Sequence, residues 1–169
     1  MILFQSKQAL IFRDPRQFGR LRLHRGKTAP TWWSELPTSM LDPKFKLSVL
    51  SDALSRHGKR PVKALLLDQR YLQGMGNWMA DEVLWRAGIH PARIGSKINS
   101  TETTKLFSQI KFVVRGAMKS VGKHGGDPPK GWLFHVRWKN GGICPKTKLP
   151  LNRKEIGGRT SCWCPKLQK

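Results

Sequence analysis

The spacing of apolar residues in the middle of the chain predicts a run of helices. Apolar side chains recur every three or four positions there, as they do on the buried face of an amphipathic helix. Asn77 has N-cap chemistry for one of these helices, and Gly88 is suited to end it. The predicted helices cover residues 44–56, 63–69, 77–87 and 101–121.

The two ends of the chain have strand-like patterns instead. Short alternating segments predict strands at residues 1–5, 8–13, 19–24 and 132–138, and two glycine pairs bracket a predicted β-hairpin within residues 142–167. We therefore expect a mainly α fold with β appendages. Its predicted parts are strands at 1–24, a glycine- and proline-containing linker at 25–37, a helical domain at 38–131 and a β-element at 132–169.

The charge of the chain indicates a polyanionic partner. The 169 residues include 32 Lys and Arg against 10 Asp and Glu, which gives a formal net charge of +22. Such an excess favours nucleic acid binding, the alternative being a non-specific basic protein. No apolar run approaches the roughly 18 residues of a membrane span, so we expect no membrane partner. Three cysteines, an odd number, favour a reducing, cytoplasmic compartment.

A first candidate site lies between predicted strands, in the segment Asp14-Pro-Arg-Gln-Phe-Gly19. A turn here would bring Arg16 and Phe18 close together at the surface. An exposed aromatic ring can wedge between bases while a guanidinium pairs with the base that is left behind. The alternative is a hairpin with a core Phe18 and a solvated Arg16, and the segment taken alone favours that alternative.

A second candidate site is the segment Gly74-Met-Gly-Asn77, which joins two predicted helices. Glycines let backbone amides approach a ligand, and the start of the next helix presents free N–H groups to an anion. We therefore predict phosphate contacts from Gly76 and Asn77, with Lys63 on the preceding helix as a further contact. The segment is no dinucleotide fingerprint, because a helix and not a strand precedes it.

A third candidate site is formed by Cys144, Cys162 and Cys164 near the end of the sequence. A structural zinc site needs four ligands, which normally come as two Cys-x-x-Cys pairs. Thr147 and Leu167 stand where the second cysteine of each pair would be, and no histidine follows His135. We therefore expect no bound zinc and no other cofactor.

Taken in this order, the three segments resemble the bacterial formamidopyrimidine-DNA glycosylase and endonuclease VIII family. The stretch Val62 to Pro91 resembles the helix-two-turn-helix element of that family, and this match is highly specific. The segments from Asp14 to Gly19 and from Gly157 to Gln168 resemble its intercalating loop and the tip of its zinc finger. The similarity extends over nearly the whole chain.

The resemblance implies base excision repair and a partner of double-stranded DNA, damaged or abasic, in the bacterial cytoplasm. It implies that Lys63 and Asn77 hold phosphates beside the lesion and that Arg16 and Phe18 fill the void in the duplex. It implies that Arg159 clamps the backbone from the hairpin. The cysteine pattern resembles the zincless variant of the finger, and residues 1–24 resemble the end of an N-terminal β-sandwich.

The resemblance also predicts where this chain differs from a complete enzyme. The family cleaves DNA with an N-terminal proline amine followed by a glutamate, and no Pro-Glu dipeptide occurs here. We therefore assign no catalytic residue and expect a DNA-binding portion of a glycosylase/AP lyase that does not cut DNA alone. Two alternatives stay open. The catalytic half could come from an upstream reading frame or a second chain, or the chain could be a non-enzymatic DNA- or RNA-binding protein.

Overall fold

The computed structural model describes residues 2–3, 9–14, 19–122 and 125–169, and the chain divides into two compact units, Met1–Glu35 and Leu36–Lys169. Arg16 and Phe18 lie outside the described residues. The fold is mainly helical with two-stranded β-elements, as the sequence predicts. No helix in the described ranges is long and apolar enough to cross a membrane.

The first unit contains little regular structure. Strands β1 (Ile2–Leu3) and β2 (Ala9–Leu10) pair antiparallel, and a short helix α1 (Thr31–Ser34) lies in the predicted linker. The predicted strand at 19–24 is wrong, because this segment pairs with no strand among the described residues. Its leucines, Leu21 and Leu23, stay 58% and 90% exposed, so the alternating pattern has no sheet face to bury within this unit.

The second unit is built on four helices and a hairpin, with bounds close to those predicted. Its helices are α2 (Leu47–Arg56), α3 (Val62–Leu66), α4 (Asn77–Ala87) and α5 (Ser100–Ala117). Helix α5 continues as a π-helical turn, Met118–Gly122. Asn99 and Glu102 form a reciprocal capping box at the start of α5, and this fixes its first turn. Gly88 ends α4 in the left-handed conformation, as predicted.

Helix α4 lies at the centre of this unit and packs against α3, α5 and the hairpin. Its residues Val83 and Leu84 are fully buried in the main core together with Leu66, Leu106 and Ile110. A second, smaller core joins Trp85 on the same helix to the cysteines of the C-terminal β-element. One helix thus supports both parts of the unit.

The predicted strand at 132–138 is wrong: residues Leu133–His135 form a short 3-10 turn. Adjacent side chains here fill two different cores. Trp132 packs into the main core, where its ring leaves no space for a side chain at Gly116. Leu133 is buried in the smaller core. The turn is therefore selected by tertiary packing, which the alternating pattern does not reveal.

The predicted hairpin is present and consists of β3 (Asn152–Ile156) and β4 (Arg159–Trp163). The strands pair antiparallel from Asn152↔Trp163 to Ile156↔Arg159, so a two-residue turn of Gly157 and Gly158 joins them. Both glycines have positive φ, at 62° and 75°. A two-residue hairpin turn needs this conformation, which glycine adopts without strain.

Candidate nucleic-acid interface

The turn between α3 and α4 leaves its backbone open to solvent. Gly74 has φ +85°, and a Cβ atom placed on Gly74 or Gly76 would meet nothing within 4 Å. The Gln69 side chain braces this turn, because it accepts a hydrogen bond from the Gly74 amide at 2.8 Å and donates one to the Met75 carbonyl at 3.1 Å. The turn is thus a fixed backbone surface that a ligand could approach closely.

The start of α4 differs by one position from the prediction. Gly76 occupies the N-cap position, and Asn77 is the first helical residue, without a capping hydrogen bond from its side chain. The side chain instead reaches the hairpin, where Nδ2 donates to the Thr160 carbonyl at 2.9 Å. Its Oδ1 is buried and has no hydrogen-bond partner among the described residues. The first amides of α4 lack an intrahelical acceptor, which is favourable for an anion.

The hairpin tip lies against α3. A Cβ atom on Gly157 would be 2.8 Å from the Cβ of Ala64, so the absence of a side chain permits this close approach. Arg159 directly follows the tip, is exposed, and forms no ion pair with a carboxylate in the described part of the chain. Because Thr160 is held by Asn77, the structure brings Arg159 next to the start of α4.

The structure corrects the role predicted for Lys63. Its side chain is fully buried, so the ammonium group cannot contact a phosphate directly from this position. The ammonium forms an ion pair with Asp81 Oδ1 and donates to the Asn77 carbonyl at 2.9 Å. Long amphipathic side chains often bury their stem and expose their charge, but here the charge is also enclosed. Lys63 therefore holds the start of α4 from the interior of the protein.

Asp81 is the centre of a buried polar network that sequence reasoning missed. Its Oδ1 accepts from Lys63, while Oδ2 accepts from the Arg137 guanidinium, with Nε at 3.0 Å, and from the Cys162 amide at 3.1 Å. Asp81 and Arg137 are 1% and 3% exposed. One carboxylate thus joins α3, α4, the segment after the 3-10 turn and strand β4. We call Lys63, Asp81 and Arg137 the buried triad.

The buried triad contains two cations and one carboxylate. Burial lowers the pKa of Lys63, and the ion pair with Asp81 opposes that effect. With both cations protonated, the triad has a formal charge of +1 beneath the first turn of α4. A positive charge at this point adds to the field of the helix amino end, and both favour an anion.

The cysteines are packed as apolar residues in the smaller core. Cys144 Sγ accepts a hydrogen bond from the Trp85 indole at 3.4 Å, and the Thr147 hydroxyl lies 3.3 Å from Cys164 Sγ. Burial raises the pKa of the Cys162 thiol to about 11, whereas at Cys144 the effect of burial is outweighed by hydrogen bonds, chiefly from Thr147, which lower the pKa of that thiol to about 7. In the described residues no three His, Cys, Asp or Glu side chains are grouped to hold a metal ion. The two Cys-x-x-Cys pairs of a zinc finger are incomplete here, because Thr147 and Leu167 stand at their second positions.

The pattern of the sequence contained one signal for Asp81. It stands four residues before Trp85, so both occupy the same face of α4, and that face is apolar at Trp85. A carboxylate on a buried helical face requires a charged partner. Its partner Arg137 is 56 residues away in the sequence, and no local pattern identifies such a pair.

Comparisons with known proteins agree with this architecture. The family model "Formamidopyrimidine-DNA glycosylase H2TH domain" matches residues 36–126. A formamidopyrimidine-DNA glycosylase of Arabidopsis thaliana is 36% identical over 161 residues, which are 95% of this chain and 40% of that protein. The crystal structure of the MutM (Fpg) protein from Thermus thermophilus superposes with a TM-score of 0.72 at 31% identity, covering 92% of this chain and 62% of that one.

A third relative has been solved with a ligand. The Lactococcus lactis Fpg in complex with DNA containing an abasic site has a TM-score of 0.67 at 22% identity and shares the fold. It is covered over 53% of its length, so this chain spans about half to two thirds of these structures and less of the plant protein. The family match over residues 36–126 shows that the chain belongs to the formamidopyrimidine-DNA glycosylase family through its H2TH domain.

Proposed function

We propose that this chain binds double-stranded DNA, preferably at an abasic or damaged site, as the DNA-binding portion of a base-excision-repair glycosylase/AP lyase. The observation that carries the proposal is the hydrogen bond from Asn77 to Thr160, which joins the start of α4 to the hairpin beside Arg159. Two anion-binding features from distant parts of the sequence thereby share one surface. The complex of the L. lactis relative with abasic-site DNA supports the choice of ligand.

The chemistry of this surface suits a phosphate backbone. The first amides of α4 can donate to one phosphate, and the open backbone at Gly76 lets it approach. The Arg159 guanidinium can clamp another phosphate with two parallel hydrogen bonds. Contacts of this kind position a protein on DNA and make affinity fall with salt, without reading sequence.

We assign DNA binding, and not strand cleavage, to this surface. Backbone amides and a guanidinium hold anions but are not nucleophiles. Lys63 carries an amine, but it is buried and ion-paired with Asp81. Borohydride trapping on abasic-site DNA tests the assignment, because it captures a Schiff base between an amine and the opened sugar. A covalent adduct formed by this chain would contradict it and favour the alternative of an active lyase.

Fluorescence anisotropy with a labelled duplex tests DNA binding. We expect tighter binding to a duplex with an abasic-site analogue than to the intact duplex, with an affinity that falls as salt rises. Arg159→Ala should reduce the slope of log K against log salt by about one unit. Lys105→Ala is the matched control, since this exposed lysine lies beside Gly88 at the opposite end of α4. Its slope should stay close to that of the native chain.

The same measurement separates the proposal from its alternatives. Equal affinity for intact and abasic duplexes would favour a non-enzymatic, architectural DNA- or RNA-binding protein. An unchanged salt slope in Arg159→Ala would reject the hairpin tip as a phosphate contact. The predicted wedge of Phe18 and Arg16 lies outside the described residues and stays a prediction. Phe18→Ala should lose the preference for abasic DNA at a nearly constant salt slope.

A further inference from the structure

We propose that Asp81 and Arg137 are positioning residues for DNA binding, an inference that rests on the proposed function. They fix the hairpin relative to the first turn of α4, so that Arg159 and the α4 amides can hold the same stretch of DNA. Both residues are buried, so neither is placed to touch DNA itself. Their effect is transmitted through hydrogen bonds to the backbone on either side of the surface.

The hairpin side of this arrangement depends on Asp81 Oδ2. This oxygen accepts from the Cys162 amide at 3.1 Å, and it also accepts from Arg137, whose Nε lies at 3.0 Å. The Arg137 guanidinium in turn lies 3.5 Å from the Thr160 carbonyl, the same carbonyl to which Asn77 donates. Strand β4 is therefore held at Thr160 and Cys162, one and three residues after Arg159.

The helix side depends on the other oxygen of the same carboxylate. Oδ1 pairs with the Lys63 ammonium, which donates to the Asn77 carbonyl at 2.9 Å. The two oxygens of Asp81 thus face the two halves of the surface, one toward the start of α4 and one toward the hairpin. A single carboxylate sets the relation between them.

The chemistry of the network favours a positioning role over a purely stabilising one. Apolar side chains of similar volume would hold these elements at least as strongly, because buried charges have a large desolvation penalty. Hydrogen bonds, in contrast, fix direction as well as distance, and this network ends on the backbone of Asn77 at the start of α4 and of Thr160 and Cys162 in β4. The network therefore specifies the geometry of the surface where the proposed contacts lie.

A double-mutant cycle tests the proposal. Asp81→Asn keeps the size of the side chain but removes its charge, and it is combined with Arg159→Ala in the full chain. If Asp81 positions Arg159, we expect each single change to weaken abasic-duplex binding about tenfold, and Arg159→Ala to cost less than about threefold in the Asp81→Asn background. Asp52→Asn on α2 is the matched control, because that exposed carboxylate makes the same charge change outside the network.

The cycle gives a readout that a merely structural role would not produce. Circular dichroism confirms that each variant is folded at the temperature of the binding measurement, so lost stability does not count as lost affinity. If Asp81→Asn does not fold, Arg137→Lys replaces it, since lysine keeps the charge but loses the forked geometry. Coupling between either variant and Arg159→Ala supports the proposal.

The remaining outcomes contradict either the inference or the function on which it rests. If the native chain binds DNA and the two losses are additive, Asp81 does not position Arg159 and the inference is wrong. If the native chain shows no salt-dependent binding to either duplex, the proposed function itself is wrong. Comparing the native chain with the single and double variants therefore tells the two failures apart.

Discussion

The two ends of the β3–β4 hairpin are held to the same helix by different chemistry. The β4 backbone is bound through Arg137 at Thr160 beside the tip and through Asp81 at Cys162, whereas the side chains at the base, Cys162 and Cys164, pack with Cys144 and Trp85. Asp81 and Trp85 lie one turn apart on α4, so the same helical face changes from charged to apolar along its length. The directional contacts lie beside the proposed DNA surface, and the non-directional ones lie away from it.

This difference indicates what each end contributes. Burial of apolar surface holds the base together but tolerates small shifts of orientation. The hydrogen-bonded network fixes the direction of the strand beside Arg159. We therefore expect changes near the tip to alter stability and DNA binding together, and changes at the base to alter stability alone.

Asp81→Ala should produce the largest effect. It leaves Lys63 and Arg137 buried without their carboxylate, and breaking a buried ion pair from one side costs about 3–5 kcal/mol of unfolding free energy. Urea unfolding followed by circular dichroism measures the loss. Asp52→Ala, which removes an exposed carboxylate, should cost far less. Similar losses in the two variants would mean that the network contributes little.

We expect that two substitutions convert the base of the hairpin into a metal site. Thr147 and Leu167 each stand three residues after a cysteine in a turn, and the Thr147 hydroxyl already lies 3.3 Å from Cys164 Sγ. The pair Thr147→Cys and Leu167→Cys would complete two Cys-x-x-Cys pairs. We expect one zinc ion per chain and a stabilisation of about 2.7 kcal/mol at a free zinc concentration 100-fold above Kd.

Metal analysis and melting curves with and without EDTA check this expectation. Thr147→Cys alone is the control, because it supplies one cysteine fewer than the pair of changes and should bind zinc more weakly. A double variant that contains no zinc and melts at the same temperature with or without EDTA would contradict the expectation. It would show that the two turns do not present their side chains to one point.

Substitutions of the two glycines at the hairpin tip should have a smaller effect on the free energy of unfolding. Both have positive φ, so alanine at either position should cost about 1–2 kcal/mol in backbone strain. Gly157→Ala should cost more than Gly158→Ala, since only its Cβ would overlap Ala64. Gly157→Ala should cost less in an Ala64→Gly background than in the native background, and urea unfolding of the single and double variants measures this difference. Equal losses for the two single variants would show that the tip does not rest on α3.

Local signals predicted the elements and the surface groups but not the network between them. The bounds of α4 follow from residues next to each other in sequence, ending at Gly88, and the hairpin follows from the Gly157-Gly158 turn. The prediction that Lys63 contacts a phosphate rests on its place in the helix before the Gly74–Asn77 segment and on the family resemblance. The burial of Lys63 depends on Asp81, which also binds a backbone amide 81 residues further along the chain. Such contacts arise only from the tertiary fold.

We expect the smallest effect at Asp68. Like Asp81, this carboxylate pairs with two cations, but both of its arginines are partly exposed to solvent. Arg70 and Arg60 donate to Asp68, and the hydrogen bond from Arg70 is the main reason why the pKa of this carboxyl lies well below its usual range. A carboxyl with a lowered pKa stabilises the fold above its unfolded pKa, and this contribution disappears as the pH falls toward its folded pKa.

Asp68→Asn should therefore cost about 1 kcal/mol or less at pH 7, because the side chains of Arg70 and Arg60 are 69% and 40% exposed and solvent screens both pairs. The difference between Asp68→Asn and the native chain should shrink progressively below about pH 4, where an unfolded aspartate takes up a proton. Urea unfolding of both chains at pH 7 and pH 3 measures it. A difference that stays constant with pH would mean that Asp68 contributes through its packing, and that its two ion pairs add nothing to stability.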